Sequence, residues 1–332
     1  MSVWYRRLVW MATALALFVI VLGAYVRLSD AGLGCPDWPG CYGELIPTDI
    51  EQDTAAENWP ERPVEAGKAW REMVHRYVAA TLGFLIVLIA WLAWTNRREP
   101  DQPVKIPLLT LGVVIFQGLL GMWTVTLLLK PVIVMGHLLG GLTTLGLLFW
   151  LLLEDARGTS MGVGVTRRIA WPAAIGLIVL ICQIALGGWT SSNYAALACP
   201  DLPTCLGQWW PAEADFNEGF VMWRGLGVNY EFGILEAPAR VAIHFTHRLG
   251  AIFTTLLLLF ITLKLWGNQT SGPSIRGACL AVWAALVGQV SLGVATVWFG
   301  LPLAVATAHN GVAALLLLSM INLNHVASRT TR

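Results

Sequence analysis

The segment Gln117-Gly-Leu-Leu-Gly-Met-Trp-Thr-Val125 returns later in the chain as Gln289-Val-Ser-Leu-Gly-Val-Ala-Thr-Val297, at a numbering shift of 172 (117 + 172 = 289). A second motif is also duplicated, since Cys35-Pro-Asp-Trp-Pro-Gly-Cys41 returns as Cys199-Pro-Asp-Leu-Pro-Thr-Cys205, at a shift of 164 (35 + 164 = 199). The two shifts differ by eight, which indicates an insertion between the motifs in the second copy. The chain is therefore predicted to consist of two similar halves in tandem.

The composition is that of an integral membrane protein. Apolar residues make up 56% of the 332 and charged residues only 12%, whereas a soluble domain is about one quarter charged. A membrane-spanning helix needs about 20 apolar residues. Eight runs meet this length, four in an N-terminal half (1–157) and four in a C-terminal half (158–332): 8–26, 71–94, 106–128, 132–153, 169–190, 239–265, 277–299 and 303–325. The net charge of +1 gives no support for nucleic-acid binding, and membrane lipid is the expected surrounding.

The distribution of charge between the predicted helices gives an orientation. Basic residues of the connecting segments are predicted to face the cytoplasm, together with both termini. These residues are Arg6, Arg7, Arg97, Arg98, Lys105, Arg157, Arg167, Arg168, Lys264, Arg276, Arg329 and Arg332. The two long loops near 27–70 and 191–238 then lie on the outer, periplasmic face of the inner membrane.

Each half is predicted to cross the membrane four times, so both halves begin on the same side. Such parallel repeats are related by an axis along the membrane normal. The simplest architecture is an all-α fold of two tandem four-helix bundles, related by a pseudo-twofold axis.

Four of the six histidines belong to the duplication. The numbers of His75 and His137 differ by 62, and His247 and His309 repeat this pair at the shift of 172 (75 + 172 = 247). Each lies in an apolar run, where an ionisable residue is costly and usually functional. Each first-half histidine lies about five residues inside its predicted helix, about 7–8 Å below the outer boundary. Two imidazoles at one depth on neighbouring helices can ligate one iron from opposite faces of a porphyrin. The alternative is a core histidine bonded to a backbone carbonyl.

Arg76 and Arg248 directly follow the histidines of the second and sixth predicted helices. Guanidinium groups bind carboxylates bidentately, so both residues are candidates to bind heme propionates. Long basic side chains near a helix end also reach the membrane surface without any ligand, and this alternative stays open.

The halves differ at one position beside these histidines. Glu72 lies one helical turn before His75, so both lie on one helix face, whereas His244 occupies the corresponding position before His247. A carboxylate there can act as a general base or stabilise developing positive charge. This asymmetry suggests that one half performs chemistry while the other retains a redox cofactor. A solvated interfacial acid is the alternative for Glu72.

The cysteine motifs lie in the exported loops, where disulfides persist. Pro and Trp between the cysteines favour a turn, and hence bonds Cys35–Cys41 and Cys199–Cys205, although four cysteines allow three pairings. A short closed loop gains little stability from a disulfide, so a redox role and a structural role are both open for the first pair.

Taken together, these features resemble the heme A synthase family, whose members convert heme O to heme A for terminal oxidases. The resemblance rests on eight helices in two repeats, Glu72-Met-Val-His75-Arg76, the paired histidines and the first cysteine motif. It implies successive oxidation of the porphyrin C8 methyl to a formyl group. It also implies that Glu72, His75 and His137 form the heme O site, with Glu72 catalytic, and that His247 and His309 are the axial ligands of a heme b cofactor.

The resemblance further suggests heme O synthase, cytochrome oxidase assembly proteins and an electron donor or acceptor as partners; the sequence does not identify the last. The alternative function is a di-heme b-type membrane cytochrome that transfers electrons without modifying heme. The histidine pattern alone permits this alternative function. A protein that only transfers electrons, however, does not require an acid such as Glu72 beside one histidine pair and not the other.

Overall fold

The computed structural model describes residues 2–155, 170–268 and 272–329. Within these ranges the chain has eight helices long and apolar enough to cross a membrane, and no β-strand, so the predicted all-α multi-pass membrane fold is confirmed. We number them α1 (Val3–Leu28), α2 (Ala66–Thr95), α3 (Lys105–Thr126), α4 (Pro131–Asp155), α5 (Ala170–Ser192), α6 (Ala237–Gly267), α7 (Pro273–Trp298) and α8 (Leu303–Arg329). Short helices Gln52–Asn58 and Phe216–Gly219 lie in the two long loops, 29–65 and 193–236, here called the first and second loops.

All eight predicted helices are present, and several begin earlier than predicted. Helix α1 begins at Val3 because the hydroxyl of Ser2 caps it, accepting the N–H of Tyr5 at 3.2 Å. Helix α2 begins at Ala66 rather than 71, since its first polar turn extends beyond the apolar run. The predicted junction between the halves at 157/158, the predicted α5 start at 169, and Arg157, Arg167, Arg168 and Arg332 lie outside the described residues.

The helices pack as two closed rings. In the first half α1 contacts α2, α2 contacts α3, α3 contacts α4 and α4 returns to α1; helices α5 to α8 repeat this cycle. Between the rings, α1 packs on α8, α4 on α5, and α4 on α8. Exchanging the two halves converts the α1–α8 contact into the α4–α5 contact and leaves the α4–α8 contact unchanged. This pattern is consistent with the predicted pseudo-twofold axis.

A contact at the loop end of the molecule fits the same symmetry. Arg27, at the end of α1, donates a 2.7 Å hydrogen bond from Nη2 to the carbonyl of Ser191 at the end of α5. The two positions are equivalent under the shift of 164 (27 + 164 = 191). Equivalent residues contact each other only near a twofold axis, so this bond marks where the halves meet.

The tightly packed core lies at the end opposite the loops. Fully buried residues there come from the later turns of α2, α4, α6 and α8, for example Ile86, Leu148, Leu258 and Leu323. The histidines of the duplicated frame lie in the earlier turns of the same four helices. The fold therefore places them in the less densely filled, loop-side part of each ring.

Candidate heme sites

The two cysteine motifs adopt the same local structure. The sulfur atoms of Cys35 and Cys41 are 2.05 Å apart and those of Cys199 and Cys205 are 1.96 Å apart. These are bonding distances. Each pair can thus close a disulfide within its own loop, as predicted. The redox role and the structural role considered for the first pair both stay predictions.

An aspartate organises each motif. Asp37 accepts the backbone N–H groups of Tyr42 and Gly43 at 2.6 and 2.9 Å. Asp201 accepts those of Leu206 and Gly207 at 2.6 and 3.0 Å. In both loops the residue and the glycine that follow the second cysteine have positive φ angles. Glycine tolerates that conformation without strain, so Gly43 and Gly207 extend the repeat beyond the cysteines.

The second loop has one interaction that the first lacks. The hydroxyl of Thr204 donates a hydrogen bond to Asp201, whereas the equivalent residue in the first loop is Gly40. This hydroxyl, followed by the backbone N–H donors, lowers the pKa of Asp201 from 3.8 to about 2. Hydrogen bonds to the charged form of a carboxyl favour that form.

Arg76 and Arg248 attach the loops to α2 and α6. Nη1 of Arg76 donates to the carbonyls of Pro39, at 3.2 Å, and Gly40. Arg248 donates to three carbonyls of its own loop, namely Asp201 at 2.7 Å, Thr204 at 2.9 Å and Cys199. This role was not predicted from the sequence, although both arginines recur together with the cysteine motifs. Propionate binding by either residue stays a prediction.

Glu72 is buried, with 5% of its surface exposed, and both its oxygens have partners. Oε1 accepts from Arg76 Nη2 at 2.5 Å, and Oε2 accepts the backbone N–H of Cys35 at 2.9 Å. In the second half Nδ1 of buried His244 accepts the N–H of Cys199 at 3.1 Å. The two residues therefore make the same contact with the first cysteine of each loop. Only Glu72 brings a carboxylate, which a loop anchor does not need.

The four histidines of the frame face partly open space. Each of these side chains is partly accessible, although each lies on a helix of a closed ring: His75, His137, His247 and His309. His244 and His325, outside the frame, are buried. The two histidines of each half lie on helices that face each other across the ring without direct contact, α2 and α4 or α6 and α8, and not on neighbouring helices as predicted. Ligation of one iron by both stays a prediction.

The described positions change how far each histidine lies from the start of its helix. His75 is the tenth residue of α2 and His247 the eleventh of α6, whereas His137 and His309 are each the seventh of α4 and α8. The first-half histidines therefore lie further inside their helices than the five residues predicted, most clearly in α2, and their depth below the membrane boundary stays a prediction. The positions nevertheless match closely between the two halves.

Each of these imidazoles packs its Cε1 atom against a glycine of a neighbouring helix. A Cβ atom placed on Gly23, Gly121, Gly187 or Gly293 would lie 3.0, 3.5, 3.2 or 3.1 Å from Cε1 of His75, His137, His247 or His309, respectively. Gly23 and Gly187 are equivalent under the shift of 164, and Gly121 and Gly293 under the shift of 172. The sequence motif contained only the second pair; the first was detectable from the cysteine shift and was missed.

The halves hold their first histidine differently. Nδ1 of His247 lies 3.0 Å from the amide Nε2 of Gln183 on α5. The equivalent of Gln183 in the first half is Val19, and Nδ1 of His75 is buried without a partner among the described residues. A glutamine in an apolar run is a recognisable signal for an interhelical contact, but Gln183 was not among the residues predicted to contribute to a site.

These residues fit a porphyrin better than a bare metal ion. Among the described residues there is no group of three or more His, Cys, Asp or Glu side chains able to hold a metal. A heme iron needs only axial ligands from the protein, because the porphyrin supplies the other four. Nδ1 atoms of His75, His137 and His309 are buried and unpartnered within the described part of the chain. Two partly accessible imidazoles per ring, each packed against a glycine, suit a flat porphyrin held from both faces.

Comparison with known proteins agrees with the features of the site. Residues 6–321 match the cytochrome oxidase assembly protein family. The chain is 46% identical over 328 residues to heme A synthase of Shewanella oneidensis, covering 95% of this chain and 96% of that protein. It is 29% identical over 338 residues to heme A synthase of Chelativorans sp., covering 95% and 88%, and 27% identical over 291 residues to that of Shouchella clausii, covering 85% and 82%. The chain belongs to the heme A synthase family.

Proposed function

We propose that this protein converts heme O to heme A by oxidising the C8 methyl group to a formyl group in successive hydroxylations, in heme A synthesis for cytochrome oxidase. The names of its relatives support this activity. The observation that carries the proposal is the buried carboxylate of Glu72 beside only one of two otherwise equivalent histidine pairs. An electron relay has no need of a buried acid at one heme.

The first half is assigned to the substrate. His75 and His137 ligate the iron of heme O, and Glu72 shares the face of α2 with His75. Glu72 accepts a proton from the reacting carbon substituent or stabilises positive charge there. Arg76 and the Cys35 N–H occupy one acceptor position on each oxygen. A carboxylate has about four such positions, so it keeps acceptor capacity while its orientation is fixed.

The second half is assigned to heme b, whose iron His247 and His309 would hold. Bound there, heme b supplies one-electron transfer to or from the substrate site. Gln183 lies beside Nδ1 of His247. A ligand imidazole donates its second ring N–H to an acceptor, so heme binding through Nε2 requires the Gln183 amide to turn its oxygen, which has no partner among the described residues, toward Nδ1. No acid replaces Glu72 in this half, so the cofactor itself is not modified.

The proposed setting is the inner membrane, with both loops on the periplasmic face and both termini in the cytoplasm. The histidines then lie near the outer face, where a disulfide in the first loop persists. Oxidase assembly proteins, heme O synthase and an electron donor or acceptor are the expected partners.

Extraction and mass identification of the bound hemes tests the proposal. Protein purified from cells that make heme O should contain heme b together with heme O, its hydroxylated derivative or heme A. Heme b alone at both histidine pairs, in cells with an ample supply of heme O, would instead support an electron-transfer cytochrome. Ligand assignment is checked separately by substitution of each histidine.

A further inference from the structure

A cavity of about 180 Å³ lies at the loop end of the second half. It is lined by the start of α6 and by the beginning of the second loop, through Tyr194, Leu197, Ala198, Ala237, Arg240 and Val241. One water molecule takes about 30 Å³ of liquid volume. The cavity is therefore large enough for a ligand group of a few heavy atoms.

Two polar groups at this cavity have no protein partner. Nε of Arg240 and the hydroxyl of Tyr194 are both buried, and neither makes a hydrogen bond within the described residues. The guanidinium of Arg240 also forms no ion pair in this part of the chain. A buried donor without a partner is costly, so the pair is arranged for a group that supplies acceptors. The adjacent N-terminus of α6 adds positive potential.

The equivalent place in the first half also has a cation, but this cation is paired with an acid. Arg240 corresponds to Lys68 (68 + 172 = 240), and the ammonium of Lys68 is neutralised by Glu65 at 2.8 Å. The equivalent of Glu65 is Ala237, which lines the cavity. Likewise, Tyr194 corresponds to Asp30 (30 + 164 = 194). Both acids of the first half are thus replaced by uncharged residues in the second, and the cation is left unpaired.

The position of the cavity relates it to the second histidine pair. Arg240 lies two helical turns before His247, or about 10 Å nearer the loop end on the same face of α6. Arg248, the other arginine near this pair, already donates to three loop carbonyls. Arg248 keeps only its Nε without a partner, whereas the whole guanidinium of Arg240 makes no hydrogen bond within the described residues.

We infer that Arg240 and Tyr194 form a carboxylate site that binds a propionate of the heme b held by His247 and His309. This inference rests on the proposed function, since it requires heme b in the second half. An arginine and a phenol can both donate to one carboxylate, and charge-assisted hydrogen bonds of this kind are strong. The substrate half offers no such free cation at the equivalent position, which suits a heme that must leave after conversion.

The rate of heme release tests the inference. All variants carry His75→Ala, so that only the second pair gives a bis-histidine spectrum, and heme transfer to excess apomyoglobin is followed by absorbance. Arg240→Gln should accelerate release about tenfold, equivalent to about 1.4 kcal/mol. The matched change at the equivalent position, Lys68→Gln, should leave the rate unchanged. Tyr194→Phe keeps the ring between Arg27 and Phe232 and should accelerate release about threefold.

A chemical change in the heme separates a propionate from other anions. Protein with Arg240 intact is reconstituted with iron protoporphyrin IX dimethyl ester, which has no carboxylate charge. It should release this ester as fast as the Arg240→Gln protein releases heme b. The inference is overturned if Arg240→Gln and Tyr194→Phe both release heme b at the parent rate, or if ester and free acid leave at one rate. Loss of copurified phospholipid in Arg240→Gln, with heme release unchanged, would assign the site to a lipid phosphate instead.

The same preparation distinguishes failure of the inference from failure of the proposed function. Absence of any heme from the unsubstituted protein contradicts the proposed function. If heme b is present and its release rate is unchanged by Arg240→Gln, by Tyr194→Phe and by esterification, only the propionate site is contradicted. Thermal denaturation of each variant, measured in parallel, separates faster release from loss of the fold.

Discussion

The two halves pack their histidines against equivalent glycines and surround them with different charges. Each imidazole pair lies in a ring of four helices, and each pair packs against glycines at equivalent positions. The first half adds three acids near its loop end, Asp30, Glu65 and Glu72, at positions where the second half has Tyr194, Ala237 and His244. The packing of the histidines is thus the same in both halves, and the acids differ. Under the proposed function, the three additional acids favour release of an anionic porphyrin from the first half, and their absence favours its retention in the second.

Removal of one ligand from each half should give the largest effects. His247→Ala is expected to abolish heme b binding and with it heme A formation, since an axial ligand is lost. His75→Ala is expected to abolish heme A formation while the bis-histidine heme b spectrum persists. Optical spectra and heme extraction from both variants measure this difference. Persistence of the heme b spectrum in His247→Ala together with its loss in His75→Ala would reverse the assignment of the halves.

Glu72→Gln tests the acid that distinguishes the first half. The amide retains an oxygen that can accept the Cys35 N–H but loses the negative charge beside Arg76. Heme A formation should fall by a factor of about 100 or more, the usual range for a general acid–base group, while the heme b spectrum is retained. The measurement is the ratio of heme A to heme O in extracted hemes.

A matched control for this change is Glu61→Gln, an exposed acid of the first loop, which should leave the heme ratio unaltered. The reciprocal exchange Glu72→His copies the second half and keeps an acceptor for the loop. Normal heme A output from Glu72→Gln would show that Glu72 serves only as a loop anchor, as His244 does.

The glycines beside the histidines offer a graded test within the first half. A methyl group at Gly23 would lie 3.0 Å from Cε1 of His75, whereas one at Gly121 would lie 3.5 Å from Cε1 of His137. The first distance requires the ring to move, and the second is ordinary contact. Gly23→Ala should therefore weaken heme O binding by about 1–3 kcal/mol. Gly121→Ala should leave heme O binding unchanged and the stability of α3 equal or higher, because alanine favours helix. Heme O titrations of both variants decide this, and equal weakening by the two would contradict it.

Much of this fold was predictable from the sequence because the membrane restricts the possibilities. Backbone groups in lipid must be satisfied internally, so a long apolar run can only be a helix. Ligation of one iron by each pair of duplicated histidines stays a prediction. The starts of α1, α2 and α7 were less well predicted, by four or five residues, since hydropathy reports membrane thickness and not the first hydrogen-bonded turn. Lys68 and Arg71, for example, are polar but continue α2.

The contacts between loops and helices were not predictable from spacing alone. Glu72 and the Cys35 N–H are 37 residues apart, and Gln183 and His247 are 64 apart. Such pairs are fixed by how the chain folds back on itself, and no local pattern encodes them. The recurrence of Arg76 and Arg248 beside both loops was visible, but its meaning depended on seeing which carbonyls they reach.

The smallest expected effect concerns Thr204, whose hydroxyl distinguishes the second loop from the first. The pKa of Asp201 is lowered from 3.8 to about 2 in the folded loop. Its contribution to loop stability is therefore fully present above pH 3.8 and is lost as the pH falls toward 2. Thr204→Gly copies Gly40 of the first loop and retains the carbonyl that accepts from Arg248. The pKa of Asp201 should then rise toward 3.8, so that the loop loosens at a higher pH.

Hydrogen exchange of the peptide 199–208 across the acidic range measures this change, with a free, unfolded peptide of the same sequence correcting for the intrinsic pH dependence of exchange. Protection of the Leu206 and Gly207 amides, which donate to Asp201, should fall at higher pH in Thr204→Gly than in the parent. Asp201→Asn should remove the pH dependence of the second loop altogether. If Thr204→Gly leaves the pH profile of 199–208 in place, the backbone donors alone lower the pKa of Asp201, and the two loops are electrostatically alike despite their different residues.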